Sequence, residues 1–220
     1  MTYSVKEMFK TLQGEGAHAG RPAVFCRFTG CNLWSGLERD RATAQCTFCD
    51  TDFVGTNGVG GGKFATAEAL ADALIDTWGP DPDADADRHA SDRHRYVVFT
   101  GGEPLLQLDA HLIRATHRAG FTIAVETNGT IAAPPGIDWI CVSPKAGTEL
   151  VQREGNELKL VYPQPEATPE QFTTLAFDRF YLQPMDGPDQ ADNIQASIAY
   201  CLAHPRWRLS LQTHKLIGIP

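Results

Sequence analysis

The run YVVFTGGEP at 96–104 constrains the fold more than any other feature of the chain. It is a continuous apolar strand that ends in a glycine turn and leads directly into the amphipathic LLQLDAHLIRATHRAG. Strand, turn, helix is the unit from which parallel α/β proteins are built, and it brings polar groups together at the carboxyl ends of the strands. Strand-like segments also occur at 23–30, 122–129, 138–145, 156–163, 179–184 and 207–213. Helices are expected at 66–79, about 105–119 and 191–204. Thr66 and Glu68 fit the start of the first of these helices and Gly79 its end. About seven strands predict an α/β fold of the partial, incompletely closed parallel β/α barrel kind rather than a full eightfold barrel. At 220 residues the chain suits one domain, 1–220. Thr100, Gly102, Glu103, Thr127, Asn128, Ser143, Pro144, Lys145 and Gln183 all fall where strands stop. That is the side of a parallel barrel that carries the site. Glu103, beside two glycines, either accepts from a ligand's ammonium group or starts the following helix.

The second constraint is chemical. Three of the six cysteines, Cys31, Cys46 and Cys49, lie within CNLWSGLERDRATAQCTFCD. Cys46 and Cys49 form a C-x-x-C pair, while Cys31 stands fourteen intervening residues upstream. No second C-x-x-C exists to complete a four-thiolate centre, so three thiolates would leave one metal position open. Cys26, Cys141 and Cys201 sit among apolar residues and read as buried small hydrophobes. The insert at about 32–45 reads as a short surface helix on the metal loop. Asp50 and Thr51 follow the third cysteine and suit either a hard cation such as Mg2+ or a turn cap. The glycine-rich run after them looks like a mobile loop. Residues 80–95 read as a solvated acidic loop.

Near the start, Leu12-Gln13-Gly14-Glu15-Gly16 brackets a carboxylate with glycines, which suits close approach of a ligand or a plain turn. Arg27 lies in an apolar strand, so it is either a solvated arginine or a buried cation in need of an anion. The net charge of -8 argues against nucleic acid and anionic membrane as partners. The N-terminal residues lack the pattern of a secretory signal and no stretch approaches a membrane span, so a cytoplasmic protein with reduced thiols is expected. The apolar LIGIP at the end is expected to tuck back into the protein.

Three cysteines after the first strand, an aromatic within C-T-F-C, and T-G-G-E-P after a later strand together resemble the radical S-adenosylmethionine superfamily. The usual C-x3-C-x2-C spacing is stretched in its first gap. Within that superfamily, L-Q-G-E-G, FCRFTGC, C-D-T, E-T-N-G and S-P-K look like the 7-carboxy-7-deazaguanine synthase family over nearly the full length. The resemblance implies a lyase that converts 6-carboxy-5,6,7,8-tetrahydropterin to 7-carboxy-7-deazaguanine on the way to queuosine. Its implied cofactors are a 4Fe-4S cluster on Cys31, Cys46 and Cys49, S-adenosylmethionine, and Mg2+ near Thr51, with Asp50 as a further candidate ligand. Implied cofactor contacts are Phe48, Cys49, Asp50, Gly102, Glu103, Asn128, Ser143, Pro144, Lys145 and Gln183. Implied substrate contacts are Leu12, Gln13, Gly14, Glu15, Arg27, Thr100 and the terminal carboxylate of Pro220. A flavodoxin- or ferredoxin-like electron donor and a homodimer belong to the same expectation. Two competing readings remain open at this level: an enzyme that activates a partner protein, and a zinc module that adds His18 or His214 to the three cysteines.

Overall fold

The computed structural model describes residues 2–80 and 95–220. The acidic loop expected at 80–95 falls almost wholly outside the described residues.

All seven strands expected from the sequence are present and run parallel. They are β2 (Pro22–Phe28), β4 (Arg95–Gly101), β5 (Phe121–Thr127), β6 (Trp139–Val142), β7 (Glu154–Tyr162), β8 (Ala176–Pro184) and β9 (Trp207–Leu209). Two more strands extend the sheet. β1 (Tyr3–Leu12) pairs antiparallel with β2, and the short β3 (Gly62–Phe64) pairs antiparallel with β1. The strand order is β3-β1-β2-β4-β5-β6-β7-β8-β9, with β3 and β9 as free edges, so the barrel is incompletely closed. β1 escapes sequence reading because Lys6, Glu7 and Lys10 interrupt its apolar pattern, and a bulge lies between Val5 and Glu7. The glycine-rich run expected as a mobile loop is instead docked along β1. The Val59 carbonyl accepts from the Met8 amide at 2.7 Å, and the Gly58 amide donates to the Lys6 carbonyl at 2.9 Å.

Helices begin and end where local chemistry dictates. α1 (Ala67–Trp78) starts at Thr66, whose hydroxyl accepts from the Ala69 amide at 3.1 Å, and stops at Gly79. α2 (Ala110–Arg118) is shorter than expected. Asp109 accepts from the amides of His111 and Leu112, both at 2.9 Å, and so fixes its first turn, while Pro104–Leu106 forms a separate 3-10 turn. α3 (Gln190–Ala203) and the short α4 (Thr213–Ile217) complete the set. Among the described residues no helix is long and apolar enough to cross a membrane.

Side chains alternate across each strand, and the two faces diverge in character. Val24, Cys26, Phe28, Val97, Phe99, Ile123 and Val125 join α1 and α2 in one apolar cluster, and Leu158, Leu160, Phe180 and Leu182 form another. The opposite face begins apolar, with Ala23, Tyr96, Val98 and Ala124. Further along the same strands it turns polar: Arg27, Thr100, Glu126, Lys159 and Gln183 all open on one cavity. The two-residue period thus sorts core from site along a single strand. Cys26 and Cys141 are buried as expected, whereas Cys201 on α3 is half-exposed.

Candidate active site

The cavity has a volume of about 460 Å³, within the range of small-molecule sites. Leu12, Gln13, Gly14, Glu15, Arg27, Cys31, Cys46, Phe48, Cys49, Asp50, Thr51, Thr100, Gly102, Asn128, Ser143, Lys145, Gln183 and Pro220 all line it. Of the residues singled out from the sequence, Glu103 and Pro144 do not.

The three cysteines are gathered despite their spacing. The Leu33 carbonyl accepts from the amides of Gln45 at 3.1 Å and Cys46 at 3.4 Å, so the insert leaves and returns at one point. Its middle is a short helix as expected, of the 3-10 type, over Glu38–Thr43. The Leu33 amide points at the Cys31 sulfur at 3.4 Å. Burial pushes the thiols of Cys31 and Cys46 up, and a charge on Cys49 would raise both further. A metal bound there would have to displace their protons. Among the described residues no group of three His, Cys, Asp or Glu side chains is gathered tightly enough for a single ion. The three thiols border one cavity, and His214 borders it too. His18, offered as a zinc ligand, is engaged elsewhere: its Nδ1 lies 2.7 Å from the Tyr96 hydroxyl, and its ring is 4.2 Å from that of Trp139.

Lys145 gives a second sign of an anionic occupant. It is half-buried, its ammonium donates to the Ser143 carbonyl and hydroxyl at 2.7 Å each, and among the described residues it has no carboxylate in salt-bridge reach. Desolvation holds its pKa below the ordinary lysine value, although charge on Cys46, Cys49 or Glu103 would raise it. A half-buried cation without an ion-pair partner beside these thiols fits an iron–sulfur centre and a carboxylate-bearing ligand.

The turn after β4 supports this loop from beneath. Gly102 lies so close that a Cβ there would meet the Gly30 carbonyl at 2.3 Å and the Cys31 Cβ at 2.7 Å. Glu103 is fully buried and accepts from Thr127 Oγ1 and the Asn128 amide at 2.8 Å each, and from the Leu105 amide at 2.9 Å. Three of its roughly four acceptor sites are filled by the protein itself. It locks the β4 turn to the end of β5.

Across the cavity lies a buried charge network that sequence reading missed. The Lys159 ammonium bridges Glu15 and Glu126, lying 3.3 Å from the latter, and Gln13 donates to Glu126 at 3.1 Å. Gln183 donates to Glu15 at 3.1 Å. Burial works against the charge on Lys159, yet the two carboxylates overcome it and hold its pKa well above the ordinary value. Glu15 behaves conversely: burial raises its pKa, but Lys159 outweighs that and keeps it ionised. The only signal for Lys159 was a lysine inside the apolar strand NELKLVY. Arg27 proves to be neither solvated nor unpaired. Its Nε donates to Glu7 at 2.8 Å, and its planar fork can donate in further directions.

Asp50 is ion-paired to Lys215 at 2.7 Å, and Lys215 also reaches Asp186 at 2.6 Å. A Mg2+ near Thr51 would therefore find few free protein oxygens and would take most of its ligands from substrate and water. The C-terminal segment closes this side. Thr213 donates through its amide (3.0 Å) and hydroxyl (2.8 Å) to the Gly14 carbonyl, and Thr11 donates to the Pro220 carbonyl at 2.9 Å. Pro220 is tied to the body by that bond and borders the cavity, but it stays exposed, as do Leu216 and Ile217, so the apolar tail lies over the surface rather than tucking in as expected.

No family model matches the chain. Proteins described as 7-carboxy-7-deazaguanine synthase do. The one from Bordetella pertussis is 66% identical over 220 residues, and that from Caulobacter vibrioides is 65% identical, each match covering the whole of both chains. The Escherichia coli K12 protein is 32% identical over 243 aligned positions, again covering all of both. The crystal structure of QueE from Escherichia coli superposes with a TM-score of 0.66 at 28% identity, covering 96% of this chain and 94% of that one.

Proposed function

The chain belongs to the 7-carboxy-7-deazaguanine synthase family of radical S-adenosylmethionine lyases in queuosine biosynthesis, and from that premise we propose that it converts 6-carboxy-5,6,7,8-tetrahydropterin to 7-carboxy-7-deazaguanine with loss of ammonia. The observation that carries this reading is one cavity that joins three thiols and a half-buried lysine at one side to a guanidinium and a charge network at the other.

In this reading Cys31, Cys46 and Cys49 hold a 4Fe-4S cluster, and Lys145, Ser143, Asn128, Gly102, Phe48 and Gln183 surround S-adenosylmethionine. When bound, these cofactors would supply one-electron radical chemistry at the substrate. The chain's own residues orient and shield. Arg27, fixed at Nε by Glu7, donates from its terminal amino groups to the substrate carboxylate. Glu15, kept ionised by Lys159, accepts from the donor edge of the pyrimidine ring, beside Gln13 and the main chain of residues 12–14. Thr51 would hold Mg2+ through an oxygen, and the ion would supply electrostatic polarisation of the substrate there. Pro220 and α4 exclude water from that side. A reductant protein of the flavodoxin or ferredoxin type and a homodimeric assembly belong to the same proposal.

Anaerobic protein reconstituted with iron and sulfide, then given carboxytetrahydropterin, reductant and S-adenosylmethionine, should form carboxydeazaguanine. Absence of that product with an intact cluster would overturn the assignment. The reading as an activating enzyme fits less well, because the enclosed, charged cavity suits a small polar substrate rather than a protein segment.

A further inference from the structure

We propose that Arg41, inside the insert that separates the first two cysteines, is a positioning residue that holds the turn at 46–49 in its cluster-binding shape. The inference rests on the reading of Cys31, Cys46 and Cys49 as ligands. The Arg41 guanidinium is engaged on two edges and one face. Its Nη1 donates to the Thr47 carbonyl at 2.9 Å and to the Cys49 carbonyl at 3.1 Å, so one cation gathers two carbonyls of the C-x-x-C turn. Its Nε donates to both oxygens of Glu38, at 2.9 and 2.8 Å. Its plane lies 4.1 Å from the centre of the Trp34 ring. Trp34 is itself buried, donates to the Leu37 carbonyl at 3.2 Å and meets Phe53 edge-on at 5.5 Å.

The Glu38 partner is 78% exposed and adds little. The two carbonyl bonds and the aromatic platform are what fix the cation. Peptide carbonyls that converge on one donor set the direction of the peptide planes between them, and hence where Cys46 and Cys49 point. A short x3 gap would restrain such a turn through its own length. Here fourteen residues intervene, and a side chain supplies the restraint. Lysine cannot replace it, because an ammonium lacks the planar fork that stacks and donates in several directions.

The test compares wild type, Arg41→Ala and Arg41→Lys, each reconstituted anaerobically and challenged with an iron chelator. Loss of an outer-shell partner typically costs about 10- to 100-fold in metal affinity. Arg41→Ala should therefore release iron about 10- to 100-fold faster than wild type, with a lowered cluster reduction potential as the nearby positive charge is lost. Arg41→Lys should restore the potential but not the retention. The two apoproteins should melt as wild type does. Iron release within about twofold of wild type in Arg41→Ala, well short of that range, would overturn the proposal, as would an Arg41→Ala apoprotein that melts far below wild type. A wild type that binds no iron at all would overturn the cysteine reading beneath it, which is a distinguishable failure.

Discussion

Lys159 shows how one buried charge can organise a site. Its side chain is 5% exposed and that of Glu15 is 13%, so removing the cation leaves two carboxylates without compensation. Breaking a buried pair of this kind costs about 3–5 kcal/mol, and Lys159→Met should lose that much in urea unfolding of the apoprotein. The sign of the pH dependence follows from the directions of the shifts. Glu15 is depressed, so its contribution is present above the ordinary carboxylate range and is lost as pH falls through its lowered value. Lys159 is raised, so its contribution is complete below the ordinary lysine range and fades only as pH climbs through its raised value. Thermal stability from this pair should stay level from about pH 5 to about pH 10. It should drop in acid, and Glu15→Gln should flatten that acid limb. Arg27, by contrast, is only half-buried, and Arg27→Ala should abolish turnover while iron content stays at the wild-type level. Loss of iron in that variant would count against its assignment to the substrate.

At the scale of elements, the strand-turn units do more than carry ligands. The β4 turn bears on the cysteine loop through Gly102 and is itself tied to β5 through Glu103, while the Glu103 amide donates to the Gly30 carbonyl at 2.9 Å. Backbone meets backbone there, so an added methyl group has nowhere to go. Gly102→Ala should leave the circular dichroism spectrum unchanged yet lose most reconstituted iron, because the shift falls on Cys31. A variant that retains full iron would show that the cysteine loop can move aside. The insert follows the same logic. Its expected helix is a six-residue 3-10 segment, since a loop closed at Leu33 has no room for a longer one.

For the whole molecule, the notable arrangement is a C-terminal segment that crosses the cavity beside the strands' carboxyl ends. It is held by Lys215 to Asp50 and Asp186, and by Thr213 to Gly14. Lys215 is 38% exposed and Asp50 45%, so such pairs contribute about 0–1 kcal/mol each. The strap is therefore closed at low cost and can open for substrate. Lys215→Ala should speed proteolytic cleavage within residues 211–220 by up to about fivefold, with iron content unchanged. Added substrate should slow that cleavage in both proteins. Cleavage at equal rates in variant and wild type would show that Lys215 does not hold the strap.

Much of this protein is written locally. Alternation and apolar runs predict the seven parallel strands, Thr66 and Gly79 bound α1, the cysteine spacing marks the metal loop, and polar residues at strand ends mark the face of the site. These signals survive because each depends on neighbours a few residues away. The tertiary structure alone decided that β1 and β3 flank the parallel sheet, that Glu103 serves the protein's own amides, and that Arg27 meets Glu7. It alone joined Lys159 to Glu15, 144 residues apart, and laid Lys215 over Asp50, 165 residues apart. The physical reason is that a charge in a strand has no preferred partner until the sheet order determines which strands are adjacent. Only then does burial make the pairing obligatory.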